Sequence, residues 1–509
     1  MKTMLSLILS LVLLPQILFA QELINGVLER GDAVPTYESG PTGFIAPAKY
    51  KAVENPGYVD PDTQPPPNLK LDQVKALLRR MAQIEMAQRG ENADPKDLSI
   101  TQEDVNRLVG RLAQIDRQFV DPIAPKTWDL IFTKMGEAAE KGFDVKKKNW
   151  PTTIDTMLKA AVKELKNPHT VYWNKEEFKR FQESMKGTFA GIGVTFKKDG
   201  TIDIVFPDSP AAKAGLKGGD KITSVDGKPV EGKTLEEIRA LVRGESGTDV
   251  RIGVNRNGKP VEPLKVTRGA VQMRSVMAKM VDKDTGYVYF TQFGEEGDTD
   301  KQIFDAVKAL QKKGAKKLIL DVRGNPGGSV GTVSSIASEF LPDGAPIVSF
   351  KKQGQEQWRT VTDGKGMFAD MPVVALVDGG SASASEILAG AFQDHMKLRP
   401  VIIGSQSYGK GSAQSVLPEK TGQALKITGS RWFTPNDRTI DAKHDPETGE
   451  KVPGTGGVKP DVSVEVSDAD QEKLAEQRFR ALNGAPVADP IADPVIEKAI
   501  EVLKQAPNS

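Results

Sequence analysis

Apolar residues recur at helical spacing in the first third of the chain. Residues 74–81 and 105–112 each place apolar side chains three and four positions apart, which is the period of one helix face. Thr101 and Asp104 precede the second repeat with the spacing of a capping box. The pattern therefore predicts a helical N-terminal region over residues 68–186.

The period changes from about residue 187 onwards. Residues 202–206 and 250–254 alternate apolar and polar side chains, as half-buried strands do, and residues 235–242 between them carry a short amphipathic helix pattern. Glycine-rich turns separate these segments. The sequence predicts a small, mostly β domain over residues 187–270.

Short, fully apolar segments follow beyond residue 280. Residues 318–320 and 373–377 are typical of buried strands, and they alternate with helical stretches. This alternation predicts an α/β core over residues 271–470. Residues 471–509 are polar and helix-prone, and we interpret them as a C-terminal tail.

The N-terminus carries an export pattern. Lys2 precedes an apolar run over residues 5–14, Pro15 ends that run, and Ala20 leads into a polar segment. This predicts a cleaved signal peptide over residues 1–20 and a periplasmic location, with an uncleaved anchor as the alternative. The run is shorter than the roughly 20 residues of a membrane-spanning helix. Residues 21–67 are rich in proline and glycine, which predicts an extended arm.

Composition narrows the chemistry. The chain has 69 basic and 68 acidic residues and no basic patch stands out, so nucleic acid is not an expected partner. It has no cysteine, which excludes disulfides, thiol nucleophiles and thiolate metal sites. Nothing in the sequence indicates a metal or an organic cofactor.

The small β domain carries a carboxylate-binding pattern. Gly191, Ile192, Gly193 and Val194 form a glycine-flanked turn before a strand, and further glycine-containing segments follow at 209–216, 218–222 and 225–227. Free backbone N–H groups in such a turn can hold a chain-terminal carboxylate, the open strand edge can accept a peptide, and Ile192 and Val194 would shape a pocket for its last side chain. The whole pattern resembles the PDZ domains of bacterial proteases. A β domain whose glycines only make turns is the alternative.

Three segments of the α/β core carry candidate catalytic chemistry. In the first, residues 320–328, a buried strand opens into a turn that ends with Gly327 and Gly328. Backbone N–H groups of such a turn can form an oxyanion hole, although a plain strand-to-helix turn has the same appearance.

The second segment, residues 377–386, also begins as a buried strand. Two glycines follow it, and then Ser381, Ser383 and Ser385 lead into a helix pattern. A serine at this junction lies near helix N–H groups, which favour the negative charge of acyl transfer. Local chemistry does not choose among the three serines.

The third segment places Lys410 between two glycines. Such a lysine is usually a solvated turn residue. However, a serine nucleophile needs a base, and the chain has only three histidines, His169, His395 and His444. Lysine can serve if burial brings its pKa towards neutrality.

Together these segments resemble the active-site signature of carboxyl-terminal processing peptidases, also called tail-specific proteases. The signature reads R-x-N-x-G-G, then G-S-A-S-A-S-E, then G-K-G-x-x-Q, and the resemblance runs from about residue 100 to 470. It implies an α/β fold with a crotonase/ClpP-like catalytic core, an inserted PDZ domain and a helical N-terminal region. It also implies a serine endopeptidase that cleaves polypeptides near their C-termini.

The resemblance assigns roles to individual residues. Ser383 is the implied nucleophile and Lys410 the general base, with Gln414, one helical turn on, orienting Lys410, and Glu386 supporting the pair. The implied oxyanion hole comprises the N–H of Ala384 and that of Gly327 or Gly328, and the choice between the two glycines stays open.

The chain departs from the family pattern at two places. The interval from Ser383 to Lys410 is slightly longer than in the family, which we attribute to an insertion near residues 397–400. Asn167 also stands where the family usually has aspartate, just before His169, which we interpret as structural.

Two other functions were weighed against this one. A non-catalytic binding or scaffold protein on the same fold is the main alternative. A serine hydrolase that uses His395 is implausible, because His395 lies twelve residues after Ser383 on the same predicted helix. The implied partners are polypeptides with accessible C-termini, an activating adaptor protein and further copies of the chain.

Overall fold

The computed structural model describes residues 50–54, 68–90, 98–185, 188–294, 298–364, 366–396, 401–443, 445 and 450–505. The predicted signal peptide, the proposed insertion at 397–400 and His444 lie outside these residues. The predicted arm is described only at strand β1 (Tyr50–Glu54), which pairs with a strand of the catalytic core.

The helical region forms as predicted and has a core of its own. Its elements are α1 (Leu71–Arg89), α2 (Gln102–Gln118), α3 (Pro125–Gly142), α4 (Trp150–Lys163), β2 (Val171–Trp173) and α5 (Lys175–Met185). Trp128, Ile131 and Trp150 are almost fully buried within it. The Thr101 hydroxyl accepts from the N–H of Asp104 at 3.1 Å, and the Asp104 carboxylate accepts from the N–H of Thr101 at 2.9 Å. The predicted capping box is confirmed.

The small β domain occupies the middle of the chain. Its elements are β3 (Thr188–Gly191), β4 (Val194–Phe196), β5 (Ile202–Val205), α6 (Pro210–Lys213), β6 (Lys221–Val225), β7 (Lys228–Pro229), α7 (Leu235–Val242), β8 (Asp249–Arg256), β9 (Lys259–Thr267) and β10 (Gly269–Gln272). Strands β3 and β10 pair antiparallel, so the chain enters and leaves the domain side by side. The domain is therefore an insertion.

A mixed, mostly parallel sheet forms the centre of the catalytic core. Its strands, in spatial order, are β11 (Val276–Met280), β12 (Thr285–Phe290), β13 (Lys317–Asp321), β16 (Val373–Val377), β17 (Ile402–Gly404) and β20 (Val462–Ser463). Helices α8 (Thr299–Lys312), α9 (Val330–Ser338) and α10 (Ala384–His395) connect its strands. β12, β13 and β16 are buried along their whole length, as expected of parallel strands covered on both faces.

A second sheet joins the catalytic core to the helical region. It contains β1, β2, β14 (Pro346–Lys352), β15 (Gln355–Thr362), β18 (Ser412–Pro418) and β19 (Ala424–Phe433). Leu425 and Ile427 of β19 belong to the apolar cluster of the helical region. The segment that follows Lys410 is therefore anchored to that region.

The C-terminal segment is part of the folded core, which its polar composition did not indicate. It forms α11 (Asp468–Leu482) and α12 (Pro494–Lys504). Val495, Ala499 and Leu503 of α12 pack against the face of the parallel sheet, and Phe479 of α11 contacts Phe206 of the small β domain edge to face.

Candidate active site

Two neighbouring parallel strands bring the first two sequence segments together. β13 and β16 pair in parallel, so the turns after Asp321 and Val377 emerge at the same edge of the sheet. Asp378 ties these turns to each other, because its Oδ1 atom accepts the N–H of Gly324 at 2.8 Å and that of Gly380 at 2.9 Å. The two glycine turns are therefore held as one unit.

Hydrogen bonding distinguishes the three candidate serines. The Ser381 hydroxyl donates to the carbonyl of Val322 at 2.8 Å, and the Ser385 hydroxyl donates to the carbonyl of Asn325 at 2.8 Å. Both serines are fully buried. Ser383 is half-buried. Its side chain faces the N–H of Glu386 in the capping box of α10, and its hydroxyl donates to no backbone carbonyl of the described residues. Its hydroxyl alone among the three remains available for chemistry.

Ser383 also has an unusual backbone. It caps α10 with φ 56° and ψ −113°, a combination that residues with a side chain rarely adopt. Non-glycine residues in such regions concentrate at functional sites. Gly327 packs directly against this turn, since a Cβ at Gly327 would lie 2.8 Å from that of Ser383.

Backbone N–H groups surround Ser383. The N–H of Gly327 is occupied, because it donates to Oδ1 of Asn325 at 2.9 Å. Among the described residues, the N–H groups of Gly328 and Ala384 have no acceptor. This favours Gly328 over Gly327 as the partner of Ala384 in an oxyanion hole.

Glu386 is fully buried in the first turn of α10 and bridges two segments. Its Oε2 atom accepts the N–H of Ser383 at 2.8 Å and that of Lys410 at 2.9 Å. Its Oε1 atom accepts the Ser407 hydroxyl at 2.6 Å and the N–H of Gly409 at 2.5 Å. Burial raises the pKa of Glu386 above its ordinary value, although these hydrogen bonds act to lower it.

Lys410 is half-buried, and its backbone is fixed on both sides. Its N–H donates to Glu386, and its carbonyl accepts Nε1 of Trp432 at 2.9 Å. Burial lowers the pKa of Lys410, while the negative charge of Glu386 acts to raise it. Within the described residues, no hydrogen bond joins the Lys410 ammonium to the Ser383 hydroxyl.

Gln414 lies on strand β18, so the expectation that it follows Lys410 by one helical turn is wrong. The side chain donates to Oγ of Ser412 at 3.1 Å and to Oγ1 of Thr428 at 3.4 Å. The Thr428 hydroxyl donates in turn to Oδ1 of Asn167 at 3.0 Å. Asn167 therefore ties the helical region to β19, the strand that pairs with the one carrying Gln414.

Lys426 is a neighbour of the site that sequence reasoning missed. It lies on β19 two residues before Thr428, on the same face of the strand, and its ammonium is 5.2 Å from the ring centroid of Trp173. Burial lowers the pKa of Lys426, and the charge of Lys410 lowers it further. No local sequence pattern marks this residue, since its proximity arises from sheet pairing.

Asn325 and Ser407 were likewise given no role from the sequence, although both brace the site. Asn325 is fully buried, donates to the carbonyl of Phe290 at 3.0 Å and accepts the N–H of Gly327. Its position between a buried strand and two glycines was the available signal. No sequence pattern indicated a role for Ser407, whose hydroxyl donates to Glu386.

The remaining predicted residues lie away from this cluster. In the small β domain, Ile192 is buried in the domain core and Val194 packs against it. Among the described strands, β4 pairs only with β5, which leaves its other edge open. His395 lies at the far end of α10 and binds the carbonyl of Pro346 at 2.7 Å.

The described part of the chain holds neither a cluster of metal ligands nor a membrane-spanning helix. There, no group of three or more His, Cys, Asp or Glu side chains is placed to hold a metal ion. No helix in those same ranges is both long and apolar enough to cross a bilayer.

Comparison with known proteins decides the family. The family model of peptidase family S41 matches residues 284–464, and that of the PDZ domain matches residues 202–256. The carboxy-terminal processing protease CtpA of Bacillus subtilis is 34% identical over 349 residues, which cover 67% of this chain and 71% of that protein. The chain belongs to peptidase family S41.

Other proteins are similar to this S41 peptidase. A probable CtpA-like serine protease of Staphylococcus haemolyticus is 36% identical over 363 residues, 70% of this chain and 67% of that protein. A solved structure, the photosystem II D1 C-terminal processing protease, has 25% identity and a TM-score of 0.44, covering 72% of this chain and 94% of that one.

Family membership confirms the reading of the enzyme class and fold. The S41 peptidase is a serine-type carboxyl-terminal processing peptidase with a PDZ domain, a mixed α/β core and a helical N-terminal region, and its substrates are polypeptides. The non-catalytic alternative receives no support.

Proposed function

We propose that the S41 peptidase cleaves polypeptides near their C-termini with Ser383 as nucleophile and Lys410 as general base. The observation that carries this proposal is the Glu386 bridge, because one carboxylate oxygen holds the backbone N–H groups of both residues. Ser383 is also the candidate serine whose hydroxyl, among the described residues, donates to no backbone carbonyl.

The reaction is acyl transfer. Neutral Lys410 takes the proton of the Ser383 hydroxyl as the oxygen attacks a peptide carbonyl. The N–H groups of Gly328 and Ala384 stabilise the resulting oxyanion. Lys410 then passes its proton to the departing amine, and a water molecule activated by the same lysine releases the acyl group from Ser383.

Burial of Lys410 supports this role, because the neutral form that a base needs is favoured when burial lowers its pKa. Gln414 acts from β18 as a positioning residue, held by Thr428. Because the Lys410 ammonium and the Ser383 hydroxyl are not hydrogen-bonded in the described residues, catalysis requires a side-chain rotation of Lys410 towards Ser383.

The PDZ domain captures the C-terminus of a substrate at the turn of Gly191, Ile192, Gly193 and Val194 and gates access to the site. The open edge of β4 supports peptide addition there. The PDZ domain contacts α11 through two residue pairs, Phe206 with Phe479 and Asp203 with Arg480. Movement of the domain would break these contacts.

Export and assembly complete the proposal. The pattern over residues 1–20 supports cleavage before Gln21 and a periplasmic location. We also propose that an adaptor protein activates the peptidase and that the chain assembles into a homo-oligomer. N-terminal sequencing of the protein from the periplasmic fraction tests export, and a sequence that begins at Met1 in the membrane fraction contradicts it.

Cleavage assays with purified residues 21–509 test the dyad. An unfolded protein and peptides with apolar C-termini serve as substrates for the wild type, Ser383→Ala and Lys410→Ala. We expect cleavage by the wild type and a loss of at least about 10³-fold in both variants.

Two control variants show whether a loss of cleavage comes from the dyad or from the general effect of removing a hydroxyl or a positive charge. Ser246→Ala and Lys308→Ala replace exposed residues outside the site, and we expect both to cleave at the wild-type rate. Cleavage by Lys410→Ala at the Lys308→Ala rate would reject the lysine as base.

A further inference from the structure

A large cleft opens beside the catalytic core, between the helical region and the second sheet. It has a volume of about 880 Å³ and lies between the end of α4, strand β2 and helix α5. We call it the basic cleft and define it by Lys159, Lys163, Lys166, Trp173, Glu177 and Arg180, all of which line it.

The lining of the basic cleft has a surplus of positive charge. Four of its side chains are cationic and one is a carboxylate, Glu177, which is neutralised by Lys159 at 2.8 Å. Lys163 and Lys166 make no ion pair with another described residue. The chain as a whole has a formal net charge of only +1, so the surplus is local. All of the lining residues fall within residues 159–180, at the end of α4, in β2 and in α5.

A structural role explains only part of this surplus. Lys163 and Lys166 lie at the C-terminal end of α4, where cations interact favourably with the helix dipole. Arg180 belongs to α5, a second wall of the cleft, and interacts there with Glu177. Cations on two walls that converge on one space indicate an anionic occupant.

Strand β2 adds a backbone feature to the same cleft. Val171, Tyr172 and Trp173 pair with β19 along one edge, and no other described strand pairs with the opposite edge. All three residues line the basic cleft. An open strand edge offers unpaired N–H and C=O groups to an extended polypeptide, which can add there as a further strand.

The basic cleft is connected to the base side of the active site. Asn167 lines it and accepts the hydroxyl of Thr428, which accepts the amide of Gln414. Trp173 lines it and carries Lys426 over its ring. A polypeptide that occupies the cleft therefore contacts Asn167 and Trp173, which in turn touch Thr428 and Lys426 of β19.

We propose that the basic cleft is a substrate subsite that selects polypeptides with an acidic segment near the cleaved bond. The segment adds to β2 in extended form, its carboxylates pair with Lys163, Lys166 and Arg180, and its apolar side chains contact Val171 and Trp173. This inference rests on the proposed function and names the class of substrate.

Two peptides of equal length test the inference, one with Asp and Glu in the segment and the other with Asn and Gln at the same positions. Wild type, the cleft variant Lys163→Gln/Lys166→Gln/Arg180→Gln and the control variant Lys308→Gln/Lys312→Gln/Lys313→Gln are compared. The control removes three exposed cations from the end of α8. The measured quantity is the ratio of KM for the neutral peptide to KM for the acidic peptide.

We expect this ratio to be about tenfold in the wild type and the control variant, from three partly exposed ion pairs, and about one in the cleft variant. We also expect it to fall as salt rises, because exposed ion pairs are screened. Equal KM values for the two peptides in the wild type, or an unaltered ratio in the cleft variant, would overturn the inference.

A binding measurement keeps this test independent of catalysis. The same peptides, fluorescently labelled, are titrated into Ser383→Ala with and without the three cleft substitutions, and anisotropy gives Kd. A preference for the acidic peptide that disappears with the cleft substitutions supports the inference even if the dyad assignment fails. Equal Kd values for the two peptides reject the inference while leaving the dyad untouched.

Discussion

The backbone N–H groups of Ser383 and Lys410 converge on one atom, Oε2 of Glu386, at 2.8 and 2.9 Å. The proposed nucleophile and its proposed base come from segments 27 positions apart in the sequence, and a single buried carboxylate holds the backbone of both. We therefore propose Glu386 as a positioning residue, since both of its oxygens accept hydrogen bonds from the framework of the site.

The first prediction concerns this bridge. In Glu386→Gln, an NH₂ group replaces one oxygen and faces N–H donors, which loosens the backbone of Ser383 or Lys410. We expect kcat to fall about 10²-fold with little change in KM, because small misplacements of reacting groups are costly. Steady-state kinetics measure both constants. Ser407→Ala, which removes one donor to Oε1, serves as the milder comparison. A kcat of Glu386→Gln within twofold of the wild-type value would contradict a positioning role for the bridge.

The second prediction concerns pH. Only neutral Lys410 can accept a proton, so kcat/KM rises with pH through the pKa of Lys410. Burial lowers the pKa of both Lys410 and Lys426, and the charge of Lys410 lowers the pKa of Lys426 further, so we expect the positive charge of Lys426 to act on Lys410 in the same direction. Lys426→Gln removes that charge, which makes protonated Lys410 more stable and raises its pKa. The acidic limb of the kcat/KM profile should therefore move to higher pH.

Lys308→Gln provides the matched control for the pH profile, because it removes an exposed lysine from α8. Its acidic limb should coincide with that of the wild type. A limb in Lys426→Gln that stays in place, or moves to lower pH, refutes the proposed coupling.

Asn325 gives the third prediction. Asn325→Ala leaves the N–H of Gly327 and the carbonyl of Phe290 without their buried partner. We expect a loss of about 1–3 kcal/mol in the free energy of unfolding, with a lower kcat as the glycine turn loosens. Urea unfolding and steady-state kinetics measure these effects, and Asn436→Ala, at an exposed position, should change neither. Full activity and stability in Asn325→Ala would show that the turn needs no brace.

The fourth prediction concerns the junction between the helical region and the β18–β19 hairpin. Glu419, which follows β18, accepts Nε of Arg107 at 2.6 Å, Nε of Arg111 at 2.9 Å and the hydroxyl of Tyr172 at 2.7 Å. Burial acts to raise the pKa of Glu419, but Arg111 and Arg107 outweigh it and hold the pKa below its ordinary value. Glu419→Gln leaves two buried cations short of a partner and should lower the free energy of unfolding by about 3–5 kcal/mol.

The pH dependence of this effect follows from its sign. Because the pKa of Glu419 is lower in the folded protein than in the unfolded chain, its stabilisation is present above the unfolded pKa. It disappears as pH falls through the folded pKa, so wild type and Glu419→Gln should converge in acid. Glu140→Gln, which breaks the exposed pair with Arg80, should cost less than about 1 kcal/mol. A similarly small cost for Glu419→Gln at neutral pH would contradict the assignment.

Much of the fold could be predicted from local pattern. The buried strands at 318–320 and 373–377, the helix at 235–242 and the Thr101 capping box depend on neighbours in sequence, and all of them form. Features that depend on distant pairing were missed. Gln414 lies on a strand because β18 pairs with β19, and no helical or strand period distinguishes that short segment.

The sequence named candidate site residues but not the geometry that the structure gives them. Local sequence chemistry left Ser381, Ser383 and Ser385 equivalent, because their difference is which hydroxyl meets the carbonyls of Val322 and Asn325. The choice between Gly327 and Gly328 likewise depends on the side chain of Asn325. The helix α12 was taken for a tail because only three of its residues are buried against the sheet.

Covalent labelling of Ser383 tests the central claim most directly. A fluorophosphonate reacts with an activated serine, and mass spectrometry of the digested protein locates the adduct while its rate is followed against pH. We predict an adduct on Ser383 alone, at a rate that rises with pH as Lys410 becomes neutral and that is lost in Lys410→Ala. An adduct on Ser381 or Ser385, or an unchanged rate in Lys410→Ala, would contradict a reaction driven by Lys410 at Ser383.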